Sequence, residues 1–120
     1  MPLVEVFGFE NHYEKKVDAR LENFNNKIRA AIAETKGLSV TEKQVTVVHS
    51  GDVSNRKELI VIIRGLFVRS ERTQKVKQEA CNRVRENILT FGHIARITNG
   101  IEVWTEPLDT TKEGFAVYKK

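Results

Sequence analysis

Apolar and polar positions change period several times along the 120-residue chain, and each change marks an element. Leu3-Val4-Glu5-Val6-Phe7-Gly8-Phe9 alternates and predicts a first strand over about Leu3 to Phe9. From about Asn11, Val17, Leu21, Phe24, Ile28 and Ile32 recur at three- and four-residue steps. That spacing predicts an amphipathic helix ending near Lys36-Gly37, where glycine is a natural stop. After a loop at Leu38 to Lys43, the β-branched run Gln44 to His49 predicts a second strand.

The pattern then begins again. Ser50 to Lys57 is polar and turn-rich, and Glu58 to Val68 (ELIVIIRGLFV) is a dense apolar run, as expected of a central covered strand. Val76, Ala80, Val84 and Ile88 form a helical stripe within about Ser70 to Thr90, and Phe91-Gly92-His93 ends it. The turn signal Asn99-Gly100 opens a fourth strand at Ile101 to Thr105. In the tail from Pro107 to Lys120, Phe115 to Tyr118 form a candidate short edge strand.

The order is therefore β-α-β followed by β-α-β, within one domain spanning 1–120. Pseudo-repeats run over about 2–50 and 58–106. The halves match at an offset of about 56 to 60 residues, which reads as a duplication of one unit. Each crossover implies a parallel strand pair, giving an α+β two-layer fold with four strands and both helices on one face. The bare face or edges of such a sheet need cover, and an oligomer supplies it.

Composition narrows the class. Hydrophobic residues are 40% and charged residues 30%, the balance of a soluble globular protein. No apolar run reaches membrane-spanning length, and Glu5 and Glu10 interrupt any signal-peptide layout. Cys81 is the single cysteine, so no internal disulfide forms, and a cytoplasmic setting is expected. The net charge of +4 fits an anionic partner, nucleic acid or a small carboxylate, without choosing between them.

Pro2 is the first candidate for chemistry. When Met1 is removed, Pro2 becomes a chain-terminal secondary amine, whose ordinary pKa is about 7.7 to 8.0. Held at a strand start in an apolar pocket, its ammonium form is disfavoured, and the neutral amine is a competent base. The plainer reading is a proline tolerated at a strand edge. Arg69 and Arg72 fall where a strand hands over to a helix, a place suited to an anion; otherwise they are two solvated arginines. Arg64 lies inside the apolar strand, paired across strands, at a subunit contact, or serving the site. His12, His49 and His93 form no metal pattern, and no glycine-rich phosphate loop is present. His49, at a strand end, is either a satisfied structural histidine or a group that polarises a substrate. Cys81 falls beside the Ala80/Val84 stripe and reads as a small buried residue.

MPLVEVFGF followed by a helix and QVTVVH resembles the tautomerase superfamily, which includes 4-oxalocrotonate tautomerase and macrophage migration inhibitory factor. Val68-Arg69-Ser70-Glu71-Arg72-Thr73-Gln74-Lys75 looks like that family's strand-to-helix junction. The resemblance implies fused βαβ units, Pro2 as catalytic acid or base, and Arg69 and Arg72 as a clamp on a carboxylate-bearing substrate. It implies no cofactor, a homotrimer, and aromatic lining around the proline from Phe7, Phe67 or Trp104. The short members carry arginines after the first strand and in the second. Here those places read Glu10-Asn11-His12-Tyr13 and Thr46, so the cations must come from the second half. Two other readings stand beside the enzyme. One is a basic ferredoxin-like module binding RNA or protein, although ELIVIIRGLFV lacks the RNA-binding aromatic pattern. The other is a tautomerase-like chain without catalysis.

Overall fold

A computed structural model describes residues 2–9, 18–50, 57–66, 71–106 and 114–120. The strands are β1 (Leu3–Phe7), β2 (Thr46–Ser50), β3 (Glu58–Arg64), β4 (Gly100–Thr105) and β5 (Phe115–Lys119). The helices are α1 (Asp18–Glu34), α2 (Gln74–Leu89) and the short α3 (Ile94–Ile97).

One mixed sheet runs in the order β2-β1-β3-β4-β5. β1 pairs with β2 in parallel and β3 with β4 in parallel, as the two crossovers require. The halves meet antiparallel through β1 and β3, with Leu3 opposite Arg64 and Phe7 opposite Ile60. The sheet has five strands rather than four, because the tail segment at Phe115 pairs antiparallel with β4.

Strand alternation sorts the two faces. Val4, Val6, Leu59, Val61, Ile63, Ile101 and Val103 are buried beneath the helices. From above, α1 contributes Phe24, Ile28, Ala31 and Ile32, and α2 contributes Ala80, Cys81, Val84 and Ile88. Cys81 is a buried packing residue in this stripe. The other sheet face carries Leu3, Glu5, Phe7, Ile60, Ile62, Arg64, Glu102 and Trp104, and the two helices lie on the far side. Leu3 and Val48, 38% and 44% exposed, stand on that face.

Several boundaries differ from the sequence reading, each for a local reason. β1 stops at Phe7 because Gly8 turns to φ +96°, where a Cβ would sit 2.2 Å from the Glu58 carbonyl oxygen. β2 begins two residues late: Glu42–Gln44 form a 3-10 turn, and the Gln44 side chain accepts the Thr41 N–H at 2.9 Å. β3 ends at Arg64 rather than Val68, since Gly65 adopts φ +77°. α2 begins at Gln74 rather than Ser70, because Thr73 is its N-cap and accepts the Val76 N–H. The start of the first helix and Val17 lie outside the described residues. No described helix is long and apolar enough to cross a membrane.

Candidate active site

The strand directions gather one end of the molecule. β1 and β2 start there, β3 and β4 finish there, α1 ends there and α2 begins there. Pro2 lies at this end and is buried. Its carbonyl accepts the Thr46 N–H at 3.1 Å, which extends the β1–β2 ladder to the residue before the strand. Pro2 is therefore tied into the sheet through its carbonyl.

Arg64 stands one strand away, opposite Leu3 and on the uncovered face. Its guanidinium lies between two carboxylates. Nη1 donates to Glu5 Oε1 at 2.5 Å, and Nε is 2.5 Å from Glu106 Oε2. Glu5 is held a second time by the Ser50 hydroxyl, which donates to Oε2 at 2.8 Å. Alternation in β1 and β3 places Glu5 and Arg64 on one face and is visible in the sequence. Ser50 and Glu106 carry no such signal, since they join only through the β1–β2 register and the end of β4.

Arg72 belongs to the same end but to the helix layer. It is buried, and its Nε and Nη2 donate to the Leu38 carbonyl at 3.2 and 2.8 Å. This bond ties the turn after α1 to the residues leading into α2. Gly37 allows the close approach: its φ is +97°, and a Cβ there would meet the Val76 side chain at 2.9 Å. Arg72 thus precedes the helix cap instead of lying in the first helical turn.

Trp104 lies on the uncovered face two strands from Glu5, in the row next to Arg64 and Glu106, and its indole N–H donates to Glu102. Phe7 and His49 lie at the opposite end of their strands from Pro2. A rise of about 3.3 Å per residue puts the Phe7 backbone about 16 Å from Pro2, so neither joins Pro2 within one chain. His49 packs among Phe9 and Phe24, at ring centroid distances of 5.3 and 5.8 Å, and its Nε2 is 2.7 Å from Asn25 Oδ1. Arg69 and Phe67 lie outside the described residues. Among the described residues, no group of three or more His, Cys, Asp or Glu side chains is placed to hold a metal ion.

The Pro2 end has a proline fixed at a strand start, an arginine on the adjoining strand and an indole on the same face. A guanidinium of this kind can pair with a small anion. No family model and no curated protein matches the chain. Solved structures do. The R7 fused 4-OT wild type asymmetric trimer aligns with a TM-score of 0.61 at 14% identity, over 93% of this chain and 90% of that one. The Q0 fused 4-OT wild type symmetric trimer aligns with a TM-score of 0.57 at 11% identity, over 94% and 89%. Nearly the whole chain therefore has the fold of these fused 4-OT structures.

Proposed function

We propose that the protein is a cofactor-independent tautomerase or isomerase acting on a small keto or unsaturated carboxylic acid. The observation that carries this reading is the burial of Pro2 at the head of β1, with its carbonyl already in the β1–β2 ladder. Once Met1 is removed, the Pro2 nitrogen is a secondary amine fixed in a fold similar to that of the fused 4-OT structures.

The chemistry follows from the groups. The neutral amine takes a proton from the carbon next to the substrate carbonyl and forms an enol or enolate. The resulting ammonium returns a proton at a different atom, so the net change is an isomer and no redox partner is needed. A cation beside the carboxylate binds the substrate and draws off developing negative charge. Arg64 is the first choice for that contact, because its guanidinium lies on the uncovered face beside the start of β1. Arg69 and Arg72 remain in the proposal as further candidate cations. Arg72 is already bonded to Leu38, which makes its role chiefly one of holding the loop. Trp104 is the proposed aromatic wall.

The chain is further proposed to act as a homotrimer; the two fused 4-OT structures named above are trimers. The uncovered face offers apolar cover through Leu3, Ile60, Ile62 and Val48. That face also carries Glu5, Glu58 and Glu102, a charge pattern that does not favour nucleic acid.

Intact mass tests the first requirement: the mature chain should lack Met1. A retained methionine acylates the Pro2 nitrogen and ends the proline mechanism. Because the base must be unprotonated, kcat/KM for phenylpyruvate ketonisation should rise with pH through the titration of the amine and then level off. A flat profile across that range would contradict a titrating amine as base.

A further inference from the structure

We propose that Glu106 is an internal stand-in for the substrate carboxylate, occupying the Nε side of Arg64 and exchanging with a carboxylate ligand. The proposal rests on the carboxylate-substrate reading above and names the residue that competes for its cation.

The two carboxylates on Arg64 are not equivalent. Glu5 is 20% exposed, lies mid-strand in β1, and is fixed by the Ser50 hydroxyl as well as by Arg64. Glu106 is 51% exposed, lies just past the end of β4, and among the described residues its carboxylate has Arg64 as its ion-pair partner. Glu5 therefore orients the guanidinium, while Glu106 can leave by rotating into solvent.

The hydrogen bonding on the Glu106 side is also incomplete. Arg64 Nε is buried and makes no hydrogen bond among the described residues, although Glu106 Oε2 is only 2.5 Å away. At that distance the failure is one of direction: the oxygen lies off the N–H axis. A carboxylate entering in the guanidinium plane could meet Nε–H and Nη2–H together, the paired geometry that suits this edge of arginine. Glu106, anchored by a backbone N–H that donates to the Ile63 carbonyl, does not reach that direction in this arrangement.

Charge makes the event an exchange and not an addition. One guanidinium already faces two carboxylates, and a third anion would be repelled unless one of them moved. The side that Glu106 vacates lies on the uncovered face, at the end of the sheet where β1 begins.

The test is calorimetric titration of the full chain with phenylacetate, an unreactive carboxylate, and with phenylacetamide as the neutral control. Glu106→Gln should bind phenylacetate about tenfold more tightly than wild type, since the competing charge is gone and a charge-assisted pair is regained. Phenylacetamide affinity should not follow. In an Arg64→Ala background, Glu106→Gln should give no gain, because the cation under competition is absent. Unchanged or weaker phenylacetate binding in Glu106→Gln overturns the proposal, as does a gain shared by phenylacetamide or one that persists without Arg64. An unaltered constant accompanied by a changed assembly mass also overturns it and assigns Glu106 to a subunit contact. These titrations involve no turnover. Failure of the proline mechanism would instead appear in the Pro2→Ala rate, with phenylacetate binding intact.

Discussion

Arginines 64 and 72 have the same charge and sit at the same end of the chain's fold, yet their surroundings assign them different work. Arg64 lies on the uncovered sheet face between Glu5 and Glu106. Arg72 is buried against the Leu38 carbonyl. Arg64→Ala should raise KM for phenylpyruvate about tenfold or more with a smaller loss of stability than Arg72→Ala, because the Arg64 side chain is partly exposed and Glu106 beside it can turn to solvent. Arg72→Ala should cost about 1–3 kcal/mol of folding stability, the penalty for stranding a buried acceptor, measured by urea denaturation. Equal effects of both variants on stability and on KM would contradict this division. The period-two alternation in ELIVIIR made the face of Arg64 legible, and its pairing was among the readings that the sequence left open. The Leu38 partner of Arg72 was not legible, since it lies 34 residues away and meets Arg72 only when the turn after α1 packs on α2.

Helix and strand identities could be read from hydrophobic period, whereas their ends were settled by single residues. Phe24, Ile28 and Ile32 do form the buried stripe of α1, and Ala80, Val84 and Ile88 that of α2. The beginning of α2 moved from Ser70 to Gln74 because the Thr73 side chain accepts the Val76 N–H, and both positions carry a hydroxyl residue that could cap. Thr73→Ala should therefore lower stability by about 1 kcal/mol, whereas Ser70→Ala should not show that capping loss. At the end of α1, Gly37→Ala should destabilise by about 1–2 kcal/mol from the left-handed backbone alone. Crowding against Val76 should add to that loss. A melting temperature unchanged in Gly37→Ala would contradict the close approach of the two helix ends.

For the whole molecule, the doubled β-α-β order led to a mixed sheet with both helices on one face, and the fold follows that plan. The fifth strand was harder to see. Its pairing with β4 depends on a long-range register that Phe115 to Tyr118 do not advertise, while Pro107 and the polar residues after it look like a tail. Assembly was legible only as a need: a sheet covered on one side leaves Leu3, Val48, Ile60 and Ile62 without helices over them. Sedimentation should find a particle of three chains, and Ile62→Lys should shift it toward a single chain by placing a charge in that apolar face. A wild-type monomer would remove the proposed cover. Of the candidate site, Pro2, Arg64 and Trp104 share one end of the sheet, while Phe7 and His49 lie at the other end of their strands within the chain, a separation that depends on strand length and register and not on residue type.

The central claim concerns the Pro2 nitrogen, and the most direct measurement is the rate of phenylpyruvate ketonisation by wild type and Pro2→Ala, both confirmed by intact mass to lack Met1. The account predicts that kcat/KM falls by about a hundredfold or more in Pro2→Ala, the scale of a lost general base, with an unchanged circular dichroism spectrum. A Pro2→Ala protein that keeps the wild-type rate would contradict it and return Pro2 to the role of an ordinary strand opener.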